Sequence, residues 1–122
     1  MVNGVDDENE CKSFDENGTA PKAGGLLYIR VLVRQKRYVL SSKAYMLHSE
    51  GYFELEDLEN SICCGSVAKT EKDERSESLG NKKYVIVGPD MHGYDFYSVG
   101  KIKRSGGGHT YYLITAHPMK RG

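Results

Sequence analysis

The sequence predicts an α+β fold in which two or three N-terminal helices pack on a three- to four-stranded antiparallel sheet. Apolar residues at helical spacing are concentrated before Gly65. Alternating segments rich in β-branched and aromatic residues fill most of the chain after Gly65. Short glycine-containing turns separate those segments, and this order is typical of an antiparallel meander.

The first region with regular apolar spacing, residues 26–33, is compatible with two structures. Its β-branched residues favour a strand. Its apolar residues also mark one face of a helix, formed by Leu26, Ile29, Leu32 and Val33. Residues 38–40 follow as a short extended segment.

Two short helices are predicted next. The first begins at Ser41 or Ser42, because a serine hydroxyl can accept a hydrogen bond from a free backbone N–H, and it ends near Glu50. The second covers about 54–63, where leucine and isoleucine recur at spacings of three and four. Gly65 suits the C′ position that ends such a helix.

Four β segments are predicted after Gly65. They cover about 66–71, 83–87, 95–103 and 109–116, with turns at 89–93 and 105–108. On the last strand, strict alternation predicts that His109, Tyr111 and His117 share one face. Tyr112 points to the other face and is expected to fill the core.

The charge distribution separates the chain into an acidic start and a basic sheet half. Residues 1–25 contain six acids and two bases and lack an apolar period, which predicts a disordered acidic tail. Residues 26–118 form the predicted single domain, and 119–122 are a short basic tail. From Gly80 onward there are seven bases and two acids. This balance favours a polyanionic partner, although an ordinary lysine-rich surface is the alternative.

Composition also bears on location and cofactors. The chain has no run of 18 apolar residues, so no membrane association is expected, and its polar start is unlike a signal peptide. Three cysteines, with Cys63 adjacent to Cys64, make a poor disulfide framework and lack zinc-site spacing. We expect both at the end of a packed helix, no metal or other cofactor, and a reducing cytoplasmic location.

Several short motifs carry a family resemblance. They are Tyr38-Val39-Leu40-Ser41, the helix with Asp57-Leu58-Glu59 followed by Gly65, the strand Tyr84 to Asp90, and the closing Leu113 to Pro118. Residues 29–118, about three quarters of the chain, thereby resemble small bacterial toxin-like domains of unknown function. Genes of that family often neighbour YgiT-type zinc-finger antitoxins, and its fold is related to RelE/ParE-type toxins.

The resemblance implies a RelE-like fold in which residues 26–35 are helical. It implies a metal-independent endoribonuclease that cleaves mRNA with the substrate's own 2′-OH, and a cognate antitoxin that covers the basic face. The alternative is a domain of the same fold that binds RNA or a protein without catalysis. This chain has Lys43, Leu47 and Gly51 where the family has one histidine and two arginines, and lysine does not titrate near pH 7 as histidine does.

Such a reaction requires a base, an acid and cations that stabilise charge developing on phosphate. The candidate catalytic residues are His117, His109, Lys43 and Tyr111. The candidate RNA-binding residues are Lys101, Lys103, Arg104 and Lys82 for phosphates and Tyr97 for stacking on an unpaired base. For each residue, an ordinary surface or core position is the alternative.

Overall fold

The computed structural model describes residues 23–119, which form an α+β domain as predicted. The helices within this range are α1 (Gly25–Arg34), α2 (Ser42–Ser49), α3 (Leu55–Cys64) and a short 3-10 helix (Leu79–Asn81). The strands are β1 (Tyr38–Leu40), β2 (Ser66–Lys72), β3 (Lys82–Pro89), β4 (Asp95–Ser105) and β5 (Gly108–Pro118). The predicted tails lie outside the described residues apart from 23–25 and Met119, and Gly25 already belongs to α1.

The sheet has five strands within the described range, in the order β1-β5-β4-β3-β2. Strands β2 to β5 are antiparallel, as predicted, but β1 pairs with β5 in parallel. The predicted antiparallel sheet is therefore confirmed for β2 to β5, and the prediction missed one further strand, β1, which pairs in parallel. Backbone bonds flank the β1–β5 pairing, from Ser41 N–H to the Leu113 carbonyl (2.8 Å) and from Tyr111 N–H to the Arg37 carbonyl (3.0 Å).

The three α-helices cover one face of the sheet, here called the helix face. Residues 26–33 are helical, as the family resemblance implied, and Ile29, Leu32 and Val33 of α1 are buried. The remaining core includes Leu58 and Ile62 of α3 and Ile86, Phe96, Ile102, Tyr111 and Leu113 of the sheet. The opposite side of β3, β4 and β5 is here called the open face, and it carries Lys83, Val85, Tyr97, Val99, Lys103, Tyr112 and His117.

The motif Asp57-Leu58-Glu59 has a structural role in α3. Asp57 accepts hydrogen bonds from the N–H of Glu54 (3.2 Å) and of Met91 (3.0 Å), so it ties the start of α3 to the β3–β4 turn. Leu58 is buried in the core. Glu59 accepts from the Tyr38 hydroxyl at 2.5 Å and pairs with Lys36 at 2.7 Å. These contacts join α3 to the β3–β4 turn on one side and to Lys36 and Tyr38, at the start of β1, on the other.

Gly65 follows α3, but for a different reason from the one predicted. Its φ of −103° is not left-handed, so the expected C′ conformation was wrong. A Cβ at Gly65 would lie 2.3 Å from the Ser61 carbonyl oxygen and 2.4 Å from that of Val87. A Cβ at Gly88 would lie 2.1 Å from the same Ser61 oxygen. Both positions are glycine because the end of α3 contacts the backbone of β3 directly.

The adjacent cysteines differ in state. Cys63 is a buried free thiol at the end of α3, as expected. Cys64 is disulfide-bonded, although the three cysteines were expected to make a poor disulfide framework. The cysteines therefore carry no argument for a reducing compartment. Across residues 23–119, no helix has the length and apolar character needed to cross a membrane.

Candidate nucleic-acid interface

A bulge in β5 decides which residues reach the open face. Val99 of β4 pairs with Thr115, but the next residue, Gly100, pairs with Leu113. Ile114 is therefore an extra residue on β5, and the alternation of side chains shifts by one position there. Its carbonyl accepts a hydrogen bond from the Ser41 hydroxyl at 2.7 Å. His109 and Tyr111 share a face as predicted, but the prediction was wrong for His117, because strict alternation does not hold across Ile114.

His117 lies at one end of the open face, where its side chain is exposed. Its ring stacks on Tyr97 of the neighbouring strand, with centroids 4.9 Å apart and an angle of 29° between the planes. The pair is in direct cross-strand register. His117 is exposed and Tyr97 is half-buried, and an aromatic pair with one exposed ring is suited to stacking on an unpaired base.

A cleft of about 480 Å³ lies at the other end of the open face. Its walls carry four cations, three carboxylates and one aromatic ring, from Arg75, Lys83, Lys101, Lys103, Asp73, Glu74, Glu77 and Tyr112. The Lys103 ammonium is 4.7 Å from the centre of the Tyr112 ring and 3.6 Å from the Glu77 carboxylate. Lys103 remains about a third exposed, at 36%, so it can still meet a phosphate. Tyr112 is half-buried on this face rather than in the core, which corrects the expectation for it.

The acidic loop beside the cleft is organised by Asp73, whose side chain is 2% exposed. Its carboxylate accepts hydrogen bonds from the N–H groups of Arg75 and Glu77, from the Ser78 hydroxyl and from Lys101. Burial by itself raises the pKa of Asp73, but these hydrogen bonds outweigh it and hold the pKa well below its usual range. Asp73 is therefore an anion in the folded chain at neutral pH.

Lys101 was predicted to bind RNA, but its ammonium group instead pairs with the acidic residues of this loop. It is 4% exposed and lies between Asp73 (3.2 Å) and Glu77 (3.3 Å). A buried ammonium that is already paired does not present itself to a phosphate in solution. Lys101 thus holds residues 73–77 over the sheet.

His109 and Arg104 lie on the helix-face side of the sheet. They are cross-strand partners at the β4–β5 hairpin. The His109 Nδ1 is 2.7 Å from the Tyr28 hydroxyl, and the two rings meet edge to face at 5.5 Å. His109 therefore ties α1 to β5, on the opposite side of the sheet from His117.

Tyr111 is inside the core, 1% exposed. Its ring packs over Gly100, where a Cβ would lie 2.4 Å from the Tyr111 hydroxyl. Burial, followed by the proximity of Tyr84, raises the pKa of Tyr111 above its ordinary value. Its hydroxyl has no hydrogen-bond partner among the described residues. The predicted catalytic role does not fit a phenol enclosed beneath the helices.

The three positions in and after α2 at which this chain differs from the resembled family have different environments. Lys43 is exposed in the first turn of α2, two residues after the N-cap Ser41, which also lines the cleft. Leu47 packs against the core, and Gly51 has a φ of +87° in the turn after α2. Leu47 and Gly51 therefore have structural roles here.

Two cations of the cleft were not anticipated, and two anticipated cations, Arg104 and Lys82, lie away from the open face. Lys83 and Arg75 line the cleft. The position of Lys83 in an alternating strand with Val85 was a usable indication, but Arg75 reaches the cleft only through the Asp73 loop. Lys82 is exposed at the start of β3, where alternation directs it away from the open face.

Within the range 23–119, no group of three or more His, Cys, Asp or Glu side chains is arranged to hold a metal ion. Comparison with known protein families, with curated proteins and with solved structures finds no match to this chain. The contacts described above are therefore the basis for any assignment of function.

Proposed function

We propose that this domain binds single-stranded RNA on its open face and acts as the toxin of a bacterial toxin–antitoxin pair. The observation that carries the proposal is the side of the sheet shared by the Tyr97–His117 stack, Tyr112 and Lys103. Aromatic faces for bases and ammonium groups for phosphates are the two features that single-strand binding needs. The helices cover the opposite face. On this face Val85, Val99 and Lys101 are buried, and the surface that remains accessible lies at its two ends, at His117 with Tyr97 and at Lys103 with Tyr112.

A single strand is expected to contact the two ends of β4 on this face, because Val99 and Lys101 between them are buried. Tyr97 and Lys103 are six residues apart on β4, which corresponds to roughly 20 Å. A base would stack at the Tyr97–His117 end while phosphates meet Lys103 and Lys83 at the cleft. This division suits RNA, whose unpaired bases are available for stacking.

For catalysis we propose metal-independent cleavage of mRNA, with the 2′-OH as the nucleophile. His117 is the candidate acid or base, because it is exposed and belongs to the proposed base-stacking site. Lys43 is the candidate for stabilising charge on the reacting phosphate, whereas Lys103, at the other end of β4, would hold a different phosphate of the same strand. A cognate antitoxin is expected to inhibit the domain by covering this face.

One observation favours a second candidate, a non-catalytic domain that binds RNA or a protein partner. Of the acid–base groups expected to converge, His117 alone lies on the open face. His109 is bonded to Tyr28 and Tyr111 is buried. A single histidine would have to serve both proton transfers or share them with Lys43.

The catalytic proposal is tested by tightly repressed expression in a bacterial host, followed by growth and mRNA integrity after induction. We expect growth arrest with mRNA cleavage, abolished by His117→Ala and retained by His109→Gln. The second variant is a matched control, because it changes a histidine of the same strand on the other side of the sheet. Intact mRNA in wild-type cells would contradict catalysis and leave the binding candidate.

RNA binding is tested separately with the purified chain and a labelled oligouridine. Lys103→Gln is expected to weaken binding about tenfold, which corresponds to about 1.4 kcal/mol. Arg104→Gln, which removes the neighbouring cation on the other side of β4, is expected to leave affinity almost unchanged. Equal losses in the two variants would show that general positive charge, rather than the open face, binds RNA.

A further inference from the structure

The two edges of the sheet differ in how they are protected. The β2 edge has a register shift between Val67 and Lys69 and is exposed along Lys69, Thr70, Glu71 and Lys72. Bulges and charged side chains of this kind prevent an edge strand from pairing with another chain. The β1 edge reads Tyr38-Val39-Leu40, with no charge, proline or bulge.

The backbone of β1 has groups directed away from the sheet. The Arg37 carbonyl and the Ser41 N–H both bond to β5. Because alternate residues of a strand direct their peptide groups to opposite sides, Val39 also faces β5, and Tyr38 and Leu40 face outward. The outer edge of β1 therefore presents N–H and C=O groups in the arrangement that accepts another strand.

A groove of about 820 Å³ runs beside this outer edge. Tyr38, Leu40, Tyr45 and Leu55 supply its apolar walls, and Lys36, Glu56 and Glu59 supply its charged wall. Tyr45 is 63% exposed and Val39 is 50% exposed. Large apolar groups beside an unpaired edge indicate a surface that another chain covers.

We propose that the occupant is a second copy of this chain, paired through antiparallel β1 strands about a two-fold axis at Val39. This axis places Tyr38 of one copy opposite Leu40 of the other. The outward N–H and C=O groups of both residues then bond to each other, which gives four hydrogen bonds by symmetry. The edge is thus complementary to itself, as an isologous interface requires.

The same two-fold arrangement places residues of each copy in the groove of the other. It reverses the direction of β1, so the start of α2 in one copy meets the Lys36 end of β1 in the other. Tyr45, which projects from α2, then enters the groove of the second copy as an aromatic anchor. Lys43 approaches a wall with two carboxylates, Glu56 and Glu59, and one ammonium, Lys36. Charge complementarity therefore supports the same pairing. The inference does not rest on the proposed function, but it assigns Lys43 to the interface, so phosphate contacts in the dimer would fall to Lys103 and Lys83.

Sedimentation or light scattering of the full chain, in the presence of reductant, tests the proposal. We expect a mass of twice 13.7 kDa at micromolar concentration. Tyr45→Asp is expected to weaken the dimer at least about tenfold by placing a charge in the groove. Tyr94→Asp is the matched control, because Tyr94 is 52% exposed but lies in the β3–β4 turn. A wild-type chain that is still monomeric at about 100 micromolar would overturn the proposal. A dimer that is insensitive to Tyr45→Asp would also overturn it.

A cysteine at the axis tests the register. In the proposed pairing the two Val39 Cα atoms are about 4.5 Å apart, within the range for a disulfide. Val39→Cys is therefore expected to give a covalent dimer on mild oxidation, and Thr70→Cys on the β2 edge is not. Equal cross-linking of both variants, or none at position 39, would overturn the proposed pairing.

Discussion

The helix face and the open face are built from the same strands, yet similar side chains have different roles on them. Tyr111 fills the core whereas its neighbour Tyr112 lines the cleft. Arg104 lies on the helix-face side whereas Lys103 is on the open face. Residue type alone therefore does not distinguish a structural residue from a candidate ligand-binding residue. The position relative to the pleat and to the bulge at Ile114 makes that distinction.

The largest expected effect separates Tyr111 from Tyr112. Tyr111→Ala removes a fully buried ring and is expected to lower the free energy of unfolding by about 3–5 kcal/mol. Tyr112→Ala is expected to lower it by less than about 1 kcal/mol, because the ring is partly exposed, while it weakens RNA binding. Urea denaturation of both variants measures the difference. Similar losses of stability would contradict the assignment of the two tyrosines to different environments.

The next effect concerns the loop that borders the open face. Asp73→Ala leaves the buried Lys101 ammonium with Glu77, which is 44% exposed. We expect a loss of about 3 kcal/mol in the free energy of unfolding. Replacing both partners, Asp73→Ala with Lys101→Met, is expected to recover part of the loss because no buried charge remains unpaired. A double variant less stable than Asp73→Ala would contradict this account.

The same carboxylate gives a pH dependence. The pKa of Asp73 is lower in the folded chain than in the unfolded chain. Its contribution to stability is therefore complete above the unfolded pKa of about 4 and decreases as the pH falls toward the folded pKa. Urea midpoints of the wild type and of Asp73→Asn at about pH 7, 5 and 3 measure this contribution to stability. The wild type is expected to lose more stability below about pH 4, and parallel curves would contradict the role of Asp73.

The smallest effect concerns the contact between Tyr28 and His109. Tyr28→Phe removes the 2.7 Å hydrogen bond and is expected to cost about 1 kcal/mol of stability. RNA affinity and any cleavage should remain unchanged, because His109 lies on the helix-face side. The thermal midpoint and oligouridine binding measure the two quantities. A loss of cleavage with Tyr28→Phe would return His109 to the catalytic candidates.

Local sequence patterns predicted most of the elements. The serine N-cap at Ser41 is confirmed by the hydrogen bond from the Ala44 N–H (3.0 Å), and α3 forms where leucine and isoleucine recur at helical spacing. The β3–β4 turn is also confirmed, with Gly93 at a φ of +88°. These features depend on residues close together in the chain, which is why the sequence is sufficient to predict them.

Other features depend on residues distant in the chain. The three residues of β1 become a strand only because β5 lies beside them. The extra residue at Ile114 moves His117 to the opposite side of the sheet from His109, and no local pattern in β5 indicates it. Lys101 became a structural residue because Asp73, 28 positions earlier, folds over it.

Local patterns were sufficient to predict the α+β class, the helices α2 and α3 and the antiparallel meander. They were sufficient because caps, turns and apolar spacing act over a few residues. The folded structure was needed to show which histidine faces outward, which lysine is buried, and which strands lie at the edges of the sheet. Those outcomes depend on strand register and on contacts between distant segments, which form together when the sheet closes against the helices.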